Sequence, residues 1–319
     1  MSQHVLVTGG AGFIGSHVTR RLLERGDRVT VLDDFNDFYD PARKRANVAP
    51  FRSRPDYRLV EGDIRDAHLV DRLFQESPFT AVIHLAARAG VRPSLQEPIL
   101  YEEVNCIGTL NLLEACRAHG PGVFVFGSSS SVYGINQKVP FSEDDDVSRP
   151  ISPYATTKRN GELLAFNYHH LYGLKVTCLR FFTVYGPAQR PEMAIHKFTD
   201  LLAREEQIPL FGDGSSRRDY TYVDDIVDGV VAALDLAPGF EIINLGGAET
   251  TSLRDLVRWL ALELAVEPSI EYLADQPGDV PVTYADVQKA GRLLGYTPKV
   301  HIRTGLKRFV SWYLEQTAS

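Results

Sequence analysis

Short apolar runs alternate with helical periods along the first 130 residues. The run "HVLVTG" from His4 shows no clean apolar/polar alternation, which predicts a strand covered on both faces. "FIGSHVTRRLLERG" repeats at helical spacing, with Ile14, Val18, Leu22 and Leu23 on one stripe and Gly26 as its stop. "RVTVLDD", "YRLVEGDI", "TAVIHLAA" and "GVFVFGSS" follow as four further strands, and helical patterns such as "VNCIGTLNLLEACRAHG" lie between them. The last of these strands runs into four serines, Ser128 to Ser131, which read as a loop at its carboxyl end. Alternation of β and α elements predicts a doubly wound parallel α/β sheet. From Pro153 to Leu171 the pattern is one long helix, and "LKVTCLRFFTVYGP" reads as strand and loop.

Beyond Gly186 the pattern changes. Pro187, Pro191 and Pro209 punctuate shorter segments, and "FGDGSSRRDYTYVDD" reads as a polar, arginine-bearing loop. "FEIINLGG" predicts one more strand that rejoins the first sheet, and "LRDLVRWLALEL" and "TGLKRFVSWYLEQ" predict two helices in the tail. This divides the chain into residues 1–187, with a returning segment near 219–247, and a smaller mixed α/β unit over 188–319. No internal repeat or low-complexity segment appears.

Composition narrows the function classes. Of 319 residues, 44% are hydrophobic and 24% charged, as in an ordinary globular protein. A formal net charge of −7 gives no footprint for nucleic acid or an anionic membrane surface, although local arginines leave an anionic substrate open. Cys106, Cys116 and Cys178 are scattered, form no metal-type pair and are odd in number, so they read as small buried hydrophobes in a reduced compartment. With no signal-peptide pattern before His4 and no apolar run near the length of a membrane helix, the expected location is cytoplasmic.

Chemistry enters at "TGGAGFIG". Gly9, Gly12 and Gly15 stand between a strand and a helix, with Phe13 and Ile14 opening the helix. Glycines there permit a tight turn, close approach of a pyrophosphate to the backbone, and close packing of helix on strand. The helix N-terminus then faces the phosphates. Asp33 ends the next strand 18 residues after Gly15, where a carboxylate fits the adenosine ribose diol of NAD and, with Asp34, repels the 2′-phosphate of NADP. Asp63 and Ile64 in "EGDI" end another strand and are candidates to flank adenine, the alternative being an ordinary strand-end turn. In "SPYATTK", Tyr154 and Lys158 are four apart and share a helix face. A phenol is a poor base at neutral pH, but an adjacent ammonium and an oxidised nicotinamide both favour its phenolate.

With these stretches in view, the chain resembles the extended short-chain dehydrogenase/reductases, and among them the nucleotide-sugar 4-epimerases. The resemblance runs nearly the full length, through "GGAGFIGSH", "GDIRD", "HLAA", "NCIGTLNLLEAC", "SSSSVYG", "SPYATTK", "RFFTVYGP", "FGDGSSRRDYTYVDD" and "QPGDV". It implies an NAD-binding Rossmann domain over 1–187 and a UDP-sugar-binding domain over 188–319. It implies that Ser129 joins Tyr154 at the reacting sugar oxygen, and that Lys158 holds the nicotinamide ribose and lowers the tyrosine pKa. Leu85, Ala86 and Ala87 of "HLAA" would line the cofactor. Asn105 would lie near it as a supporting polar group, a plain helix cap being the competing account. A homodimer packed through the "NCIGTLNLLEAC" and "SPYATTK" helices is also implied.

Within that family, what surrounds the oxidised sugar decides the outcome. Dehydratases carry Asp-Glu just after the catalytic threonine, and decarboxylating relatives carry a glutamate at the second of these positions. Here Ser130 and Ser131 stand there, and hydroxyls provide neither acid nor base for elimination. "RFFTVYGP" followed by "RPEMA" resembles UDP-glucuronate 4-epimerases, with Thr183 where many neutral-sugar epimerases have asparagine, and Glu192 in place of that subgroup's aspartate. Carried over, Ser130, Ser131 and Thr183 form a hydroxyl cage for the sugar carboxylate, although Thr183 also suits a strand. Arg218 and Arg190 are the candidates for the diphosphate, Arg92 for the sugar end, and Asp279 for the UDP ribose. The expected reaction is conversion of UDP-glucuronate to UDP-galacturonate through a 4-keto intermediate. An epimerase of UDP-glucose or of a UDP-N-acetylhexosamine, a UDP-glucuronate decarboxylase, and a non-catalytic dinucleotide sensor are the alternatives.

Overall fold

The computed structural model describes residues 2–274 and 281–317. Seven parallel strands form the central sheet. The first six are β1 (His4–Thr8), β2 (Arg28–Asp33), β3 (Tyr57–Glu61), β4 (Ala81–His84), β5 (Val123–Ser129) and β6 (Lys175–Phe181). The seventh, Phe240–Leu245, returns from late in the chain and pairs with the outer edge of β6. The spatial order is Phe240–Leu245, β6, β5, β4, β1, β2, β3. The chain therefore winds outward from β1 to β3, then restarts on the other side of β1 with β4. At such a switch point the loops leaving the two neighbouring strands diverge and open a crevice. Here Thr8 and His84 are register partners at the ends of β1 and β4, so Gly9 and Leu85 leave the sheet side by side.

Both sheet faces are covered, which explains the lack of alternation in the strands. Val5 and Val7 enter one buried apolar cluster with Val29, Val31 and Leu179. Leu6 enters the other, with Leu32, Val82, Phe124 and Phe126. The helix Phe13–Glu24, α1, buries Val18, Leu22 and Leu23 in the first cluster. The helix Pro153–Tyr172 packs over β5 on the opposite face, where Ala165 and Tyr168 join the second cluster. Among the described residues, no helix is long and apolar enough to cross a membrane.

Several elements depart from the sequence pattern. The serine cluster is not all loop: β5 runs through Ser128 and Ser129, and only Ser130–Tyr133 turns as a 3-10 helix. Asn105 does not cap a helix. It lies in a π-turn, Glu103–Ile107, between the helices Pro98–Glu102 and Gly108–His119. "RRDYTYVDD" is ordered as two short strands and the start of the helix Val223–Leu236, whose first-turn acids Asp224 and Asp225 suit the positive end of its dipole. The segment Thr183–Tyr185 pairs with Tyr220–Tyr222 as a small parallel sheet, which places the end of the 1–187 stretch against the substrate side of the cleft.

The helix Pro153–Tyr172 sits so close to β5 that a Cβ on Gly161 would lie 2.3 Å from Phe126 Cζ. Gly161→Ala gains about 1 kcal/mol of helix propensity, but overpacking at a fixed helix–sheet seat costs about 1–3 kcal/mol. The expected outcome is a net loss of stability in urea unfolding. A more stable variant would contradict this tight seating.

Candidate active site

The glycine loop is shaped by steric necessity. Gly9 has φ +69°, and a Cβ there would lie 2.7 Å from Ala86 N, in the loop after β4. A Cβ on Gly15 would lie 2.1 Å from Gly9 O. The turn closes with Gly12 N donating to Gly9 O at 3.1 Å, and α1 begins at once. No side chain caps α1, so its first N–H groups remain available to an anion. Asp33 is pinned at the end of β2: its carboxylate accepts from Ala11 N and Phe35 N, each at 3.0 Å. Burial pushes its pKa up, against the pull of Lys44 and the two N–H donors. Lys44 Nζ lies 3.9 Å from Asp33 Oδ1. The cradle, the carboxylate and the bare helix start together fit a dinucleotide.

One cavity of about 1070 Å³ runs from this loop to Arg218. Each predicted cofactor residue lines it except Asn105, and so do Ser129 to Ser131, Thr183, Arg92, Arg190 and Arg218. Asp279 lies outside the described residues. Asn105 acts one layer back. Its amide Oδ1 accepts from Arg88 N at 2.8 Å, while Nδ2 donates to Arg88 O at 3.0 Å and Thr157 Oγ1 at 2.9 Å. The π-turn thus clamps the loop after "HLAA" from behind, and such bulges commonly occur at functional sites.

At the reacting end, period two separates adjacent serines. Ser128 shares the face of Phe124 and Phe126 and is buried, whereas Ser129 turns to the cleft. Ser129 Oγ accepts from Ser131 N at 3.2 Å and from Ser131 Oγ at 3.0 Å, and is hydrogen-bonded to Tyr154. Ser152 caps the helix Pro153–Tyr172 through Ala155 N, so Tyr154 stands in its first turn and Lys158 one turn later. Lys158 Nζ donates to Gly127 O at 2.7 Å.

Burial raises the Tyr154 pKa, and what opposes the rise is the Ser129 hydrogen bond and then the charge of Arg190. The Lys158 ammonium is committed to a carbonyl oxygen, and burial lowers its own pKa to about 8. The charge of Arg190 thus favours the Tyr154 phenolate. Arg190 stacks over Phe38 at 5.6 Å and pairs with Glu192 at 3.2 Å. Arg92 sits over the Phe211 ring at 5.3 Å.

Among the described lining residues, the acids are Asp33, Asp34, Asp63 and Glu192. The first three end β2 and β3 at the cofactor side, and Glu192 is ion-paired. Asp63 is taken up by Arg65 at 2.6 Å. Two further lining residues, Arg88 and Lys44, were not singled out from sequence. Arg88 follows "HLAA" directly, which is a usable signal. Lys44 hides in "PARKRAN", which looks like a solvated charge run until folding buries its side chain over the Tyr39 ring.

The chain matches the NAD dependent epimerase/dehydratase family over residues 5–246 and belongs to that family. It is 47% identical over 329 residues to UDP-glucuronate 4-epimerase 4 of Arabidopsis thaliana, covering 97% of this chain and 75% of that protein. Its fold superposes on the UDP-glucuronic acid 4-epimerase of Bacillus cereus, solved with UDP-glucuronic acid and NAD, with TM-score 0.93, 36% identity and coverage of 98% and 99%. The dTDP-glucose 4,6-dehydratase DesIV of Streptomyces venezuelae, solved with NAD, matches with TM-score 0.91, 37% identity and coverage of 99% and 98%. Epimerase and dehydratase share this fold, so side chains must decide the chemistry.

The Asp33 carboxylate can be tested at the cofactor alone. Asp33→Asn is expected to weaken NAD binding by about tenfold or more, the usual scale for losing a charged hydrogen-bond acceptor. It should also narrow the preference for NAD over NADP. Fluorescence titration of cofactor-stripped protein reads both, and unchanged affinities would remove Asp33 from the ribose site.

Proposed function

We propose that this protein is an NAD-dependent UDP-glucuronate 4-epimerase that interconverts UDP-glucuronate and UDP-galacturonate through a transient 4-keto sugar. The observation that carries the reading is the hydroxyl-lined reacting end: Ser129, Ser130, Ser131 and Thr183 beside Arg190, with the one nearby acid, Glu192, already ion-paired. The relatives named above as UDP-glucuronate 4-epimerases, and the B. cereus complex with UDP-glucuronic acid, support it.

Bound NAD supplies a reversible acceptor for the C4 hydride. The protein does the rest. Tyr154 takes the C4 hydroxyl proton while Ser129 holds the same oxygen. The Lys158 ammonium, held at Gly127 O, faces the ribose side and keeps positive charge beside the nicotinamide pocket. Asp33 takes the adenosine ribose diol. Asp63 and Ile64 flank the adenine. Arg218 and Arg92 hold the UDP end and the sugar. Arg190 serves the phenolate and the substrate's negative charge.

The 4-keto form of glucuronate is a β-keto acid, prone to lose carbon dioxide when its carboxylate is desolvated and turned out of plane. Hydroxyl donors from Ser130, Ser131 and Thr183 that grip the carboxylate oppose both changes. Among the described lining residues the only acid at this end, Glu192, is ion-paired, so elimination across C5 and C6 lacks a free carboxyl catalyst. Return of the hydride after the keto sugar has rotated is then the easiest exit, and C4 inverts.

The proposal divides the chain into an NAD-binding unit, 1–187 plus the returning strand, and a UDP-sugar-binding unit, 188–319, with Arg92, Ser129 to Ser131 and Thr183 reaching the sugar from the first unit. A homodimer is part of the proposal. Ile107, Leu163 and Phe166 are 51%, 49% and 47% exposed along the "NCIGTLNLLEAC" stretch and the helix Pro153–Tyr172, which would pack as a four-helix interface. Light scattering at twice the chain mass tests it.

Purified protein assayed separately on UDP-glucuronate and UDP-glucose should turn over the first with the higher kcat/KM. Turnover of the neutral sugar alone would remove the carboxylate cage. Tyr154→Phe should lower kcat by about 10²–10⁴-fold, the usual scale for a positioned acid–base group, while NAD stays bound. Full activity in that variant would refute Tyr154 as the base.

A further inference from the structure

Directly behind the reacting serines lies a buried ionic cluster that the mechanism above does not use. Glu162 stands one helical turn after Lys158 on the catalytic helix, and its side chain is fully buried. Its Oε1 accepts from Ser128 Oγ at 2.7 Å and from Arg180 Nε at 2.8 Å. Its Oε2 accepts from Arg180 Nη2 and Arg159 Nη1, each at 2.9 Å. Arg180 comes from β6, directly opposite Ser128 in the sheet register, and its guanidinium lies 4.9 Å from the centre of the Tyr133 ring.

Three consecutive residues of β5 are thus held by one face of one helix. Gly127 O takes Lys158, Ser128 Oγ is taken by Glu162, and Ser129 Oγ meets Tyr154. Lys158 and Glu162 are two pins, one turn apart, driven into adjacent positions of the same strand end. A single pin lets the strand pivot, whereas two fix both its height and its direction.

We propose that Glu162, together with Ser128 and Arg180, is a positioning group for the epimerase reaction: it sets the Gly127–Ser129 strand end against Tyr154 and Lys158. The proposal rests on the reading of Tyr154, Lys158 and Ser129 given above. Arg180 holds the Glu162 carboxylate ionised against the opposing effect of burial. Burial lowers the Lys158 pKa, and Cys106 of the π-turn and then Glu162 oppose that fall. The remaining groups that face this pair are Arg159 on the same helix, Cys178 beside Glu162 on β6, and His84 of β4 near Lys158. His84 is buried and held neutral, bonded to Thr8 and Thr109, so it contributes no charge near neutrality.

The sign of the expected pH effect follows. Burial already depresses the Lys158 pKa, so the ammonium is lost as pH rises. Removing a neighbouring negative charge depresses it further. In Glu162→Gln holoenzyme, the alkaline limb of the kcat/KM profile should move down by about one pH unit. Its kcat should fall about tenfold, the scale of a small misplacement at the reacting atoms, with KM for the UDP-sugar little changed. Ser128→Ala keeps the charge and removes only the strand pin, so its kcat should fall while the limb stays in place.

Because Glu162→Gln leaves Arg180 buried without its partner, the double variant Glu162→Gln/Arg180→Met restores a neutral core and keeps the test available if the single variant does not fold. Its alkaline limb should also lie below that of the wild type. NAD released on denaturation reports that each variant is still loaded. A limb unmoved in the folded Glu162 variants, or an unchanged kcat in Ser128→Ala, overturns the proposal, because a merely structural ion pair alters stability and not the profile. Failure of the functional reading looks different: the wild type itself would epimerise no UDP-sugar.

Discussion

A lysine ammonium buried against a backbone carbonyl, Lys158 on Gly127 at 2.7 Å, joins the catalytic helix to the strand that delivers the reacting serines. A buried cation is costly, and burial shows in a pKa lowered to about 8. The protein accepts that cost where it is useful. The same bond that satisfies the ammonium also fixes the distance between a helix bearing Tyr154 and a strand end bearing Ser129. The close seating of Gly161 on Phe126 serves the same union.

Charge is distributed with equal economy. The chain is acidic in sum, with a formal charge of −7, yet Arg88, Arg92, Arg190 and Arg218 gather along one cavity. Net charge therefore says little about what the cleft attracts; local placement decides it. Within the cleft, the acids are segregated. Asp33, Asp34 and Asp63 stand at the glycine-loop end, while the end bearing Ser129 to Ser131 and Thr183 carries hydroxyls and one acid, Glu192, paired with Arg190. That segregation separates reversible oxidation from elimination, two outcomes this fold supports equally well.

Much of this was legible in the sequence wherever the signal is local. The glycine loop and Asp33 are fixed by a turn that only glycine can make and by a strand of countable length. Tyr154 and Lys158 are joined by helical spacing, and the return of "FEIINL" to the sheet shows as an apolar run out of place. What stayed hidden depends on contacts distant in sequence. Asn105 reads as a supporting polar group near the cofactor or as a helix cap, and only the π-turn and the loop after β4 reveal what it supports, a clamp on Arg88. Ser128 and Ser129 are indistinguishable as letters; the extra two residues of β5 send them to opposite faces. The helix Val223–Leu236 was masked by an arginine-rich approach and an acidic first turn, both of which read as solvent-facing loop. Arg190 was assigned to the diphosphate by its motif, and its influence on Tyr154 emerges only when the cleft is assembled.

The central claim is that this pocket removes hydrogen from C4 and restores it to the same carbon, and has no means to break another bond. The direct measurement uses UDP-glucuronate labelled with deuterium at C4. The account predicts that the label is kept at C4 in the inverted sugar, with no carbon dioxide released. Loss of the label to solvent, or its appearance in a shortened or dehydrated sugar, would contradict it.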